Sequence, residues 1–104
     1  MNDELVIACM QIITYVGTAR SCYINAIQSA KKGNFEEAEA LIKQGEEAFA
    51  QGHQGHADLL TKEANNELGT VGLILIHAED QLMSAEGFRV IAEEFIHVYK
   101  KIAA

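Results

Sequence analysis

The chain has 104 residues, 49% of them hydrophobic, no proline and a formal charge of −7. That length suits one domain burying roughly 60–65% of its unfolded surface, and the lack of proline with thinly spread glycine favours long helices over the turns of an all-β fold. The acidic balance, with no basic cluster beyond pairs such as Lys31-Lys32 and Lys100-Lys101, argues against nucleic-acid binding and suits a basic protein partner.

The opening Met1-Asn2-Asp3-Glu4 is acidic where a secretory signal is basic, and the charge-free run from Leu5 to Ala19 is short for a bilayer span. The expectation is a cytoplasmic protein without membrane insertion, one all-α domain over residues 1–104. From about Asp3 to Lys32, Leu5, Cys9, Ile12, Val16, Ala19, Tyr23, Ala26 and Ala30 follow a 4,3 spacing, the pattern of a bundle helix. An adjoining stripe of Val6, Met10, Ile13, Ile24 and Ile27 is also apolar, more than one partner face covers, and self-association is the simplest explanation. Cys9 and Cys22, thirteen residues apart on one helix, are separated by about 20 Å of rise and cannot bridge each other. They read as small core residues in a reducing compartment.

Lys31 and Lys32 suit the negative end of the first helix, Gly33 can turn left-handed, and Asn34 with Glu37 resembles a capping box for the second helix. The second helix places Phe35, Ala38, Ile42, Gly45, Phe49, Gly52, His56, Leu59 and Glu63 on one stripe, polar groups entering towards its C-terminal half. Its internal glycines Gly45, Gly52 and Gly55 each cost up to about 1 kcal/mol against alanine, a loss accepted for close helix approach if the helix continues through them. One long helix is expected. His53 and His56 share a face and could share a metal, but no third ligand completes a site.

Asn65, Asn66 and Gly69 form a short connection, Thr70 is a candidate cap, and a third helix is expected to run to about Lys101. Its first turns read LILIHAEDQLM, from Leu73 to Met83. Ile74, Ala78, Gln81, Ala85, Phe88, Ala92, Phe95, Tyr99 and Ile102 form the expected core seam. Beside it run Leu73, His77, Asp80, Ser84 and Gly87. A histidine with a carboxylate one turn away on a rigid helix is a candidate site, since the acid can fix its tautomer; a structural histidine is the plainer alternative. The sum is an antiparallel up-down-up three-helix bundle with helices about 45 Å long.

Four segments resemble one family. They are Ala19-Arg20-Ser21, Gly33-Asn34-Phe35-Glu36-Glu37-Ala38, His53 followed by Leu59-Leu60 and Glu63-Ala64, and His77-Ala78-Glu79-Asp80-Gln81-Leu82-Met83. In order and spacing they resemble the enzyme IIA component of the lactose/cellobiose (chitobiose) branch of the bacterial sugar phosphotransferase system, over nearly the whole chain. The resemblance implies a homotrimer. It implies that His77 accepts a phosphoryl group from the histidine-containing phosphocarrier protein and passes it to a cysteine of enzyme IIB during uptake of a β-disaccharide. It also implies that Asp80 is a metal ligand, three copies of it holding a divalent cation, Mg2+, at the trimer axis. The chain departs from the family's pattern at Gln81, usually His, at His56, usually Gln, and at Asn65-Asn66, usually a Ser-Gly or Asp-Gly pair.

An unprotonated imidazole nitrogen can attack phosphorus without ATP, and the chain has no phosphate-cradling glycine loop with its lysine. Two other readings compete. One is a helical binding or scaffold module in which His77 and Asp80 are structural. The other is a histidine phosphotransfer domain of two-component signalling, which usually places lysine and glycine after the histidine where this chain has Gln81 and Leu82.

Overall fold

The structure, a computed structural model, describes residues 3–104. Met1 and Asn2 of the acidic opening lie outside the described residues. Three helices follow one another: α1 (Asp3–Lys31), α2 (Phe35–Ala64) and α3 (Leu73–Ala103). They form a rod of 55 × 19 × 18 Å. Contacts set the directions. Gly45 faces Tyr23 and Gly55 faces Ile12, so α1 and α2 are antiparallel; Leu5 and Cys9 cluster with Leu75 and Ala78 while Ala26 and Ala30 cluster with Ala92 and Ile96, so α3 runs parallel to α1. This is the expected up-down-up bundle.

The first turn of α1 carries Asp3 and Glu4 and its last turn Lys31, each matched to the helix dipole. Gly33 adopts φ +84°, and the amides of Gly33 and Asn34 bond back to Ala30 and Ser29, closing the α1 end. Every residue of the 4,3 stripe on α1 is buried. This helix packs against both others and is, by length and composition, long and apolar enough to cross a membrane, although the charge-free run Leu5 to Ala19 is short for one. The second stripe of α1 is largely used within the bundle too: Ile13 and Ile27 pack on the core, and Val6 and Ile24 are half-buried. The surplus apolar surface lies mainly on α3 instead.

α2 is unbroken through its glycines. A Cβ on Gly45 would stand 2.5 Å from Tyr23 Cε1, and one on Gly52 2.6 Å from Val16 Cγ1, both against fully buried side chains. The glycines therefore let α1 and α2 approach closely. Gly45→Ala or Gly52→Ala is expected to destabilise the bundle by about 1–3 kcal/mol in urea denaturation, overpacking outweighing the gain in helix propensity. Gly55→Ala, 3.2 Å from Ile12 Cγ1, asks that neighbour to give by only a few tenths of an ångström and is expected to be near neutral.

Three local expectations are corrected. The capping box does not form: Asn34 is the N-cap of α2 but makes no side-chain cap hydrogen bond, its φ of −90° and ψ of 70° departing from the extended geometry such a cap favours. Thr70 does not cap α3, which starts at Leu73 behind an extended Gly72. The α3 seam is rotated: the buried residues are Leu75, Ala78, Leu82, Ala85, Ala92 and Ile96, while Phe95 and Ile102 are 42% and 72% exposed. Asn66 (φ 58°) and Gly69 (φ 69°) make the left-handed turns of the 65–72 connection, which also drops Leu68 into the core.

The ion pair Lys100 Nζ to Glu39 Oε1, 2.6 Å, joins α3 to α2 near the hairpin end. The hydrogen bond and charge of Lys100 hold the Glu39 carboxyl below the ordinary carboxylate range. A lowered folded value means that the contribution to stability is present above the unfolded pKa of about 4.3 and lost as pH falls through the folded value. Glu39 is expected to titrate below the ordinary glutamate value in carbon-detected NMR, and Lys100→Met to raise it towards that value.

Candidate functional site

His77 and Asp80 stand on the side of α3 turned away from Leu75, Ala78 and Leu82, and both are exposed. The position follows from the helix itself. α3 buries its Leu75–Ala78–Leu82 edge, and a side chain about 140° to 180° around the wheel must face out. Around the pair, Leu73, Ile76 and Met83 are 79%, 56% and 68% exposed. The same outward face continues with Val90, Ile91, Val98 and Ile102, all exposed. A helix apolar on both sides calls for a second partner on the outer one.

Neither His77 nor Asp80 has a hydrogen bond or ion pair among the described residues. The tautomer-fixing contact considered for them is not made within one chain. His77 is thus an accessible imidazole on a rigid helix, open to a partner, with the exposed apolar Leu73 and Ile76 near it and Asp80 one turn on.

The structure forms a different pair close by in sequence. His56 Nε2 of α2 lies 2.8 Å from Glu79 Oε1 of α3, with the His56 side chain 19% exposed and that of Glu79 47%. Glu79 points towards α2, about 160° around α3 from His77, so this bond ties the two helices at the height of the candidate site without touching His77. Sequence reasoning considered His56 and passed over Glu79. His53 stacks on Phe49, ring centroids 6.0 Å apart, so the two histidines of α2 do not converge. Among the described residues no cluster of three His, Cys, Asp or Glu side chains could hold a metal within one chain. Asp80 could do so only with Asp80 of other copies. Cys9 and Cys22 are buried free thiols, and burial raises both above the ordinary thiol range, which suits the inert core role expected of them.

Residues 7–100 match the family described as PTS system, lactose/cellobiose specific IIA subunit. The chain belongs to the lactose/cellobiose-specific IIA family. As a IIA component it is a phosphotransferase component of the sugar phosphotransferase system. It is 36% identical to the oligo-β-mannoside-specific EIIA component of Bacillus subtilis over 96% of this chain and 89% of the relative. The cellobiose-specific enzyme IIA of Bacillus anthracis superposes with a TM-score of 0.94 at 35% identity, covering 99% of this chain and 94% of that one. The IIA(chitobiose) in the solution structure of the IIA(chitobiose)–HPr complex of Escherichia coli gives 0.85 at 31% identity, covering 99% and 100%. These likenesses bear out the family resemblance of the four sequence segments and the three-helix architecture.

Proposed function

We propose that this IIA component carries a phosphoryl group on His77, taking it from HPr and giving it to a cysteine of enzyme IIB for uptake of a β-disaccharide of the cellobiose, chitobiose or lactose type. The observation that supports this best is an exposed, unpaired imidazole on the outward face of α3, which also carries exposed apolar side chains. A relay residue must be reached by two proteins in turn, which a buried histidine could not be. In each transfer one P–N or P–S bond forms as another P–N bond breaks: the His77 nitrogen attacks phosphorus and the carrier's imidazole leaves with the electron pair. The likeness to a IIA solved in complex with HPr supports HPr as donor. The relay belongs in the cytoplasm, where these partners meet.

The functional unit in this reading is a homotrimer built on the outer face of α3. The exposed Ile76, Met83, Val90 and Val98 supply its apolar contact, and Asp80 from each copy meets on the axis. A carboxylate amid apolar residues fits a cation there, because three buried like charges need neutralising, and an all-oxygen donor set suits Mg2+. Asp80 would hold the ion, which would supply charge neutralisation to the assembly. Chelation is expected to loosen the wild-type assembly in sedimentation and to have no effect on Asp80→Asn.

The test of function is intact-protein mass after incubation with phosphoenolpyruvate, enzyme I and HPr. A gain of one acid-labile phosphate that is absent from His77→Ala supports the relay. A folded wild-type protein that gains none returns the chain to the scaffold reading, with His77 and Asp80 structural.

A further inference from the structure

Arg20 sits half-buried on α1 with its guanidinium carbon 4.9 Å above the Phe88 ring of α3. Its Nε is buried without a hydrogen-bond partner, and none of the ion pairs among the described residues reaches it. Two cations of α3 are matched within the chain, Lys100 with Glu39 and Arg89 with Glu93, while Lys101 is exposed at the helix end. Arg20, unlike Lys100 and Arg89, stays without a carboxylate although half-buried, in a chain that holds 15 acidic residues. A guanidinium offers five donors in a fixed fork, and leaving it half-desolvated and unmatched is costly. Stacking on Phe88 compensates in part and also fixes the plane of the fork.

The place of Arg20 says where its partner comes from. Phe88 lies at the edge of the outer face of α3, and the exposed Ile91 and Phe95 continue from it. One turn before Arg20, a Cβ on Gly17 would meet nothing within 4 Å, so the groove between α1 and α3 is open there. The unmatched cation therefore borders the apolar surface already read as the contact between copies.

We propose that Arg20 is the cationic half of an ion pair between copies, its guanidinium receiving a carboxylate from a second copy of this chain. This rests on the trimer reading above and adds the polar contact that sets the register of that assembly. A second copy is the favoured occupant because the open groove is continuous with the apolar face of α3 and because a chain of charge −7 presents carboxylates on its surface. In a cyclic assembly about an axis along α3, equivalent atoms keep equal heights, so the acid lies near the level of Phe88. Glu86 on α3 and Glu46 on α2, which lies close enough to the Tyr23 phenol to raise its pKa, are at that level.

Sedimentation equilibrium of the wild type, Arg20→Met, Arg20→Lys, Glu46→Gln and Glu86→Gln at low and high salt tests this. The wild type is expected to be trimeric and to weaken as salt rises. Arg20→Met is expected to assemble at least about tenfold more weakly and to lose that salt dependence, with Arg20→Lys between them, since a buried charge pair loses affinity when one partner is truncated. One of the two glutamine variants is expected to reproduce the loss from the other side, which keeps the test valid even where Arg20→Met folds poorly. A wild type that stays monomeric defeats the trimer reading and the pair with it. A trimeric wild type with Arg20→Met and both glutamine variants assembling equally tightly defeats the pair alone. So does an Arg20→Met protein that assembles normally but accepts phosphate slowly from HPr, because its cation would then serve the carrier.

Discussion

Replacing His77 by glutamine is expected to abolish phosphoryl acceptance while leaving the melting temperature within about 2 °C of the parent. The side chain is exposed and makes no hydrogen bond within the chain, so its loss removes no packing and orphans no buried group. The proposed relay, by contrast, would lose its attacking atom, and removal of a nucleophile costs at least ~10³-fold in rate. No other histidine stands ready to replace it. His53 is stacked on Phe49, His56 is bonded to Glu79, and His97 lies beside Glu94 and Ile96 at the far end of the rod. The check is the rate of acid-labile phosphate incorporation from HPr beside a thermal melt. Phosphate retained on another histidine would sink the assignment, and a melt lowered by many degrees would point to a structural His77.

Tyr23→Ala is expected to cost about 3–5 kcal/mol, the largest stability loss of any truncation to alanine in the chain. Tyr23 is the largest fully buried side chain, and much of what surrounds it is alanine: Ala19, Ala26, Ala30, Ala38 and Ala92. Small neighbours on rigid helices cannot move in to fill the cavity. Tyr23→Phe is expected to behave oppositely, unchanged or slightly stabilised, because the phenol oxygen is buried without a partner and its desolvation is uncompensated. The two forms should also part in alkali. Burial, reinforced by Glu46, pushes the Tyr23 pKa from 10 up to about 12. A raised folded value means that its contribution is complete below the unfolded pKa of about 10 and disappears as pH rises through the folded value. Urea midpoints of the two proteins between neutral pH and pH ~11 should diverge, with only the parent weakening through this group; parallel curves would place the phenol in water.

How far these features can be read from sequence differs between helices for a physical reason. α1 has one continuous 4,3 stripe, and all eight of its residues are buried. α3 is apolar nearly all round, so periodicity does not say which side turns in, and the reading settled one position away from the buried edge. Arg89 helped to mislead, because it interrupts that edge; in the structure its long stem lies along the bundle while its head reaches Glu93 at 3.5 Å. His77 stood out as a polar residue inside an apolar run, a local signal. The His56–Glu79 bond left no such trace, since the register of α2 against α3 is written in neither helix alone. It depends on how both helices pack on α1, which α2 approaches closely at Gly45 and Gly52.

The hairpin at Gly33 and the candidate acceptor lie at opposite ends of the rod. Parallel α1 and α3 put the turn between Lys31 and Phe35 near the level of the last residues of α3, about 25 residues and so roughly 37 Å from His77. Gly33 and Asn34 are exposed. A fluorophore or a short folded cargo spliced between them would ride on the protein without shadowing His77, which makes the tip a natural attachment point for reporters of the relay.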